Sequence, residues 1–171
     1  MTSETTTQKE KALVEQREPF VIEWRDGFKI GIVQIDLEHR HLFALVKALN
    51  LDSVKQTVDE LLNYVVTHFT NEQRLMEASQ YPAFEQHLKL HEEFGVSVAE
   101  FMGNSEEWTE DRVQELRRFL NKWLIGHIMT HDLRFGKWYE NRSMSIQPTP
   151  PKVNVPRGFF ARLFRVNNQT D

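Results

Sequence analysis

The strongest constraint on the fold is a spacing of three and four residues between apolar side chains in four successive segments. This spacing is the period of an α-helix, and it places the apolar residues on one face that has to be buried. The segments cover about residues 36–50, 53–79, 82–103 and 109–139, and either Asp52 or Ser53 is the expected N-cap of the second. Because short connections separate them, the sequence predicts an all-α protein folded as an antiparallel up-down four-helix bundle.

The parts of the chain outside these helices differ from them in composition. Residues 1–18 are polar and predict a flexible N-terminal tail, and residues up to about 35 predict an irregular N-terminal segment, so the bundle domain is expected to span residues 19–141. Residues 142–171 combine a Pro-rich linker with a basic amphipathic C-terminal tail between Gly158 and Arg165. Such a tail predicts docking to a protein partner, a protein shell or a membrane surface, or packing against the bundle.

The composition excludes several classes of function. The sequence has no Cys, which excludes disulfides, thiolate metal ligands and cysteine nucleophiles. A formal net charge of −4 gives no reason to expect nucleic acid as a partner. Neither a secretory-type apolar stretch at the N-terminus nor any run of about 18 apolar residues occurs, so we expect a soluble, cytoplasmic protein.

Polar side chains interrupt the predicted core faces of all four helices. The interrupting residues are His39, His68, Glu72, His87, His91 and His127. Burying an imidazole or a carboxylate without a partner costs about 1–3 kcal/mol, so six of them in one core require a common partner. A single core histidine is usually satisfied by a hydrogen bond, but two pairs spaced four residues apart, together with further histidines, favour metal binding. One ion rarely takes more than six ligands, so this number of donors favours two metal ions.

Other metal-site patterns fit the sequence less well. A zinc protease helix would carry His-Glu-x-x-His, whereas here His87 is followed by Leu-Lys-Leu-His91 and the glutamate base is missing. Ferritin-like di-iron enzymes carry a Glu-x-x-His motif on each of two helices, and the sequence does not repeat that motif on two helices. A histidine-rich site lined by Phe and Trp favours holding O₂ over activating it.

The residue that follows His127 on the same helix face has two candidates. Four residues along an α-helix leave an angular offset of about 40°, whereas five leave about 140°, so helical spacing favours His131 over Asp132. A carboxylate suits a shared pair of metal ions better than another imidazole does, which favours Asp132.

The polar core residues lie in motifs that resemble those of the bacteriohemerythrin (hemerythrin) family, over about residues 20–140. The motifs are Gly31-Ile-Val-Gln-Ile-Asp36-Leu-Glu-His39, Tyr64-Val-Val-Thr-His68-Phe-Thr-Asn-Glu72, Tyr81-Pro82 ahead of His87-x-x-x-His91, and Trp123-Leu-Ile-Gly-His127-Ile-Met-Thr-His131-Asp132. The resemblance implies reversible O₂ binding at an oxo- or hydroxo-bridged non-heme di-iron centre, for oxygen storage, delivery or sensing rather than catalysis. The alternatives are a di-iron enzyme acting on peroxide or nitric oxide, and an interaction module that responds to O₂ or metal through the C-terminal tail.

The resemblance also implies a role for each site residue. One iron is held by three imidazoles, those of His87, His91 and His127. The second iron is held by the imidazoles of His39 and His68. The two irons are bridged by the carboxylates of Glu72 and Asp132, with His131 as the alternative to Asp132. Water is excluded from the O₂ pocket by four side chains, those of Phe69, Trp123, Leu124 and Ile128.

Overall fold

The protein is a helical bundle in the computed structural model, which describes residues 21–103 and 107–143. Its helices are α1 (Val33–Ala48), α2 (Val54–Ser79), α3 (Phe84–Gly103), α4 (Glu110–His127) and α5 (Leu133–Ser143). A π-helical turn, Ile128–Asp132, joins α4 to α5 without a break, so these three elements form the fourth helix of the bundle. The predicted all-α, antiparallel four-helix bundle is confirmed. The predicted N-terminal tail and the tail between Gly158 and Arg165 lie outside the described residues.

The segment before α1 is irregular, as predicted, and contains one 3₁₀ turn, Asp26–Phe28. Helix α1 begins at Val33, earlier than the predicted start near Asp36. The Asp36 carboxylate instead accepts hydrogen bonds from the backbone N–H groups of Ile30 (2.7 Å) and Gly31 (3.2 Å). Gly31 has a φ of 90°, a backbone conformation that glycine adopts more readily than other residues. The segment is thereby held against the first turns of α1.

The other helix ends differ in whether a side chain caps them. Ser53 stands at the N-cap of α2, but its hydroxyl contacts the Thr57 hydroxyl at 3.1 Å and makes no capping bond to the backbone. Helix α2 ends at Ser79, because the C-cap residue Gln80 has a left-handed φ of 59°. Thr109 caps α4 by accepting a hydrogen bond from the Arg112 N–H at 3.2 Å. These ends agree with the predicted segments to within a few residues.

The bundle has a mainly apolar half, and a second half in which the polar stripe residues lie among further buried apolar side chains. The apolar half is filled by buried side chains from all four helices, including Leu42, Val46, Val58, Leu61, Val65, Phe94, Val98, Val113, Leu116 and Leu120. Full burial of each such side chain contributes about 1.5–3 kcal/mol. Because neighbouring helices run antiparallel, the N-terminal halves of α1 and α3 lie level with the C-terminal halves of α2 and α4. The polar stripe residues occur in those halves, so the fold gathers them at one level of the core. Within residues 21–103 and 107–143, no helix has both the length and the hydrophobicity needed to span a bilayer.

Gly136 lets α5 pack directly against the irregular segment. A Cβ added at Gly136 would collide with the Ile30 carbonyl oxygen and lie 3.1 Å from the Ile30 Cβ. We expect Gly136→Ala to lower the free energy of unfolding by about 1–3 kcal/mol through overpacking. Gly126→Ala is the matched control, because a Cβ there meets no atom within 4 Å and should stabilise the helix by roughly 0.5–1 kcal/mol. Denaturant melts of both variants check the prediction, and equal stabilities would contradict it.

Candidate metal centre

The structure gathers the seven predicted ligands in the buried core, and each is between 0% and 5% exposed. Six of them form two overlapping groups. Within each group, the donor atoms all lie within 4.8 Å of one another. The first group contains Glu72, His87, His91 and His127. The second contains His39, Glu72 and Asp132. Six of the seven residues therefore lie in clusters suited to metal binding, and Glu72 belongs to both.

The three imidazoles of the first group point their Nε2 atoms at one another. The Nε2–Nε2 distances are 3.1 Å from His87 to His91, 3.0 Å from His91 to His127, and 3.1 Å from His127 to His87. Each Nε2 carries either one in-plane lone pair or one proton. At least one of the three contacts therefore cannot be a hydrogen bond. With metal–nitrogen bonds of about 2.1 Å, neighbouring ligands lie about 3.0 Å apart at 90° and about 3.4 Å apart at the tetrahedral angle. The observed distances are close to those that three nitrogen ligands of one metal ion would have.

The Asp132 carboxylate spans the two groups. Its Oδ2 atom lies 3.2 Å from His39 Nε2, whereas its Oδ1 atom lies 3.0 Å from His127 Nε2 and 3.3 Å from His87 Nε2. The Glu72 Oε2 atom lies 3.1 Å from His87 Nε2 and 3.4 Å from His91 Nε2. Asp132 thus directs one oxygen toward each group. A carboxylate that bridges two metal ions would need this arrangement.

A π-helical turn explains why Asp132 and not His131 enters the core. The Leu133 N–H donates to the Ile128 carbonyl, five residues back, so residues five apart share a face. Asp132 is 0% exposed, whereas His131 is half-buried with its ring centroid 5.4 Å from that of His127. His131 lies at the protein surface between two hollows of 210 Å³ and 420 Å³. The preference for His131, which assumed regular α-helical spacing, is wrong here because the π-helical turn widens the helix locally.

His68 lies beside the second group but outside both clusters. Its ring centroid is 4.7 Å from that of His39, and its Nδ1 donates a hydrogen bond to Glu38 Oε2 at 2.9 Å. Since Nδ1 carries the proton in that bond, Nε2 keeps the lone pair that a metal would use.

The donor groups are poorly satisfied by the protein alone. Among the described residues, the buried side-chain atoms that make no hydrogen bond include both ring nitrogens of His39, Glu72 Oε1 and both oxygens of Asp132, although some of them lie within ion-pair distance of an opposite group. Burial, and then the nearby charge of Asp132, raise the pKa of Glu72 to about 8. Burial would raise the pKa of Asp132 as well, but His127 outweighs that effect and holds this pKa well below its ordinary value. Burial lowers the pKa of His91 strongly, which keeps the neutral imidazole that binds metals. A pair of divalent cations would satisfy these groups and compensate both carboxylates.

The predicted pocket residues line the three-imidazole group. The Phe69 ring stacks on the His91 ring with centroids 3.6 Å apart, and the Trp123 ring stacks on the His127 ring at 4.4 Å. Leu124 and Ile128 are buried in the adjoining hydrophobic core. Phe69 and Trp123 thereby cover one face each of His91 and His127.

Three side chains near the centre were missed as site residues by sequence reasoning. Trp24 lies 6.3 Å from His39, ring to ring. Glu38 is 8% exposed and contacts His68, and the Gln73 amide lies 3.5 Å from His91 Nδ1. The only sequence signal for Glu38 and Gln73 is that each adjoins a predicted ligand.

The chain is similar to known proteins over the whole bundle. The family model described as the hemerythrin HHE cation binding domain matches residues 30–139. The chain is 34% identical over 120 residues to the bacteriohemerythrin of Stenotrophomonas maltophilia, which covers 66% of this chain and 78% of that protein.

Animal proteins and a solved structure are similar as well. The chain is 35% identical over 118 residues to hemerythrin subunit alpha of Lingula anatina, covering 69% of this chain and 93% of that protein. Hemerythrin subunit 1 of Golfingia vulgaris is 33% identical over 118 residues, covering 69% and 91% of the two chains. A crystal structure of a leucine-to-phenylalanine variant matches with a TM-score of 0.59 and 25% identity, covering 70% of this chain and 97% of that chain. The fold, the buried donor groups and these similarities show that the chain belongs to the hemerythrin family.

Proposed function

We propose that this protein binds O₂ reversibly at a non-heme di-iron centre and thereby stores, delivers or senses oxygen. The observation that carries the proposal is the convergence of buried imidazoles and carboxylates from all four helices into two overlapping metal-binding groups, in a member of the hemerythrin family. When bound, the iron pair supplies the electrons and the open coordination position that O₂ needs.

The side chains divide between the two metal positions. We assign the three-imidazole position to His87, His91 and His127, whose Nε2 atoms lie close enough together to bind one ion. We assign the second position to His39 and His68, with Asp132 and Glu72 between the two. The contacts of Asp132 on both sides support its bridging role, and the membership of Glu72 in both groups supports the same role for Glu72.

Apolar side chains cover part of the site and limit its contact with water, although His87 and His127 each border a surface hollow. Phe69 and Ile128 are 2% and 0% exposed, and the Trp123 ring covers one face of His127. The predicted pocket residues Phe69, Trp123, Leu124 and Ile128 offer no carboxylate, amine or hydroxyl to transfer a proton. This environment supports binding O₂ and releasing it unchanged, so we propose that the protein is not an enzyme. Sustained consumption of peroxide or nitric oxide by the iron-loaded protein would contradict this.

Absorption spectroscopy tests the proposed function. Iron-loaded, reduced protein should gain visible absorption on exposure to O₂ and lose it when O₂ is removed under vacuum, through repeated cycles. The apoprotein is the control and should show no change. A single irreversible oxidation with no recovery of the starting spectrum would contradict reversible binding.

The tail between Gly158 and Arg165 lies outside the described residues, and docking through it is a proposal. It carries Phe159, Phe160 and Leu163 beside arginines, more apolar groups than an exposed tail tolerates without a binding role. We expect a chain ending at residue 146 to keep its iron, melting temperature and O₂ spectrum but to lose co-sedimentation with a protein partner or with anionic vesicles. A melting temperature several degrees lower would show instead that the tail packs on the bundle. Cytoplasmic localisation is likewise a proposal, which cell fractionation would check.

A further inference from the structure

Glu38 gives His68 a partner that the other predicted imidazole ligands lack. Its Oε2 accepts the hydrogen bond from His68 Nδ1 at 2.9 Å. Within residues 21–103 and 107–143, no other predicted ligand has a carboxylate within ion-pair distance of its Nδ1 atom. A carboxylate in this position fixes the tautomer and the ring orientation and makes the imidazole a stronger electron donor through Nε2.

The Glu38 carboxylate is itself held in place. Its Oε1 accepts hydrogen bonds from Asn71 Nδ2 at 2.8 Å and from Gln34 Nε2 at 3.0 Å. Gln34 lies one turn before Glu38 on α1, and Asn71 lies one turn after His68 on α2. The Glu38 side chain is 11% exposed, so water screens its interaction with His68 only weakly. Two helices therefore position one carboxylate against one ligand.

His91, in the three-imidazole group, has a neutral neighbour instead. The Gln73 side-chain amide lies 3.5 Å from His91 Nδ1. When His91 binds metal through Nε2, its Nδ1 carries a proton, and an amide rotated by 180° presents its oxygen to that proton. A neutral amide increases the electron donation of an imidazole less than a carboxylate does.

From this asymmetry we propose that Glu38 and Gln73 are positioning residues that make the two metal positions electronically unequal. The Glu38 carboxylate increases the electron donation of His68 to the metal at the two-imidazole position. The neutral Gln73 amide increases the electron donation of His91 at the three-imidazole position less. This inference rests on the proposed function, because it concerns iron ions held by His68 and His91. The electronic difference between the two metal positions would then come from the hydrogen-bond partners of the ligands as well as from the number of ligands.

Two substitutions that exchange carboxylate and amide test the proposal. Glu38→Gln keeps a hydrogen-bond acceptor for His68 but removes the charge, and Gln73→Glu adds a charge beside His91. Glu60→Gln, on the exposed face of α2, is the control for a change of charge alone. The readouts are iron affinity by competition with a chelator, and the midpoint potential of the iron centre by spectroelectrochemistry. Circular dichroism verifies that each variant is folded.

We expect E38Q to weaken iron binding by about 10–100-fold and to raise the midpoint potential. Q73E should strengthen iron binding and lower the potential, and E60Q should match the wild type. The inference is wrong if E38Q and E60Q have the same affinity and potential, or if Q73E shifts the potential in the same direction as E38Q. If E38Q does not fold, an unchanged potential in Q73E overturns the inference by itself. A wild-type protein without iron or reversible O₂ binding would instead overturn the proposed function, and this inference with it.

Discussion

Removal of iron is expected to lower the melting temperature of this protein by about 10–20 °C. The metal-free core buries five imidazoles and two carboxylates, several of whose atoms have no hydrogen-bond partner among the described residues. Each unsatisfied buried group costs about 1–3 kcal/mol, so losing the metal should cost the folded state about 5 kcal/mol or more. For a chain of this length, each kcal/mol corresponds to about 2–4 °C in melting temperature.

Calorimetry of iron-loaded and chelator-treated protein measures this difference. Restoring ferrous iron to the chelated sample should recover the original melting temperature, whereas restoring magnesium should not, because imidazoles are poor ligands for magnesium. Equal melting temperatures with and without iron would mean that these residues do not hold a metal in the core.

Asp132→Ala is expected to remove at least one iron per chain, whereas His131→Ala should keep full iron content. Asp132 is fully buried with one oxygen toward His39 and the other toward His127, so its loss affects both metal positions. His131 is half-buried beside the surface hollows and belongs to neither metal-binding group. The two variants are a matched pair, because they differ by a single position in the same π-helical turn.

Metal analysis and the O₂-dependent spectrum check this pair of variants. Loss of iron in H131A together with full iron in D132A would mean that this turn is α-helical in solution. The bridging assignment of Asp132 would then be wrong, and His131 would be the ligand that regular spacing favours.

The fold was predictable because a helical period leaves a direct pattern in the sequence. The stripe residues of α1, from Ile35 through Leu42 to Leu49, are all buried. The start of α1 was predicted less well, because Asp36, where the helix was expected to begin, lies at the end of its first turn and its carboxylate bonds backward to Ile30 and Gly31. Such a contact depends on the path of the preceding segment, which periodicity does not encode.

The placement of the predicted site residues was predictable for a different reason. Imidazoles and carboxylates in a stripe of apolar residues are costly unless they share a partner, so their burial together follows from the pattern alone. Asp132 did not follow from that pattern, because regular α-helical geometry turns it about 140° away from His127. The suitability of a carboxylate for a shared metal pair and the family resemblance pointed to it instead, and the π-helical turn supplies the physical reason. Nothing in helical spacing distinguishes Glu38 from an exposed glutamate.

The most direct measurement of the central claim is the metal content of freshly purified protein, determined by elemental mass spectrometry against an accurate protein concentration. We expect two irons per chain, held by His39, His68, Glu72, His87, His91, His127 and Asp132. Omitting iron during expression and restoring it afterwards should give the same ratio. One zinc per chain, or no metal in folded protein, would contradict the account.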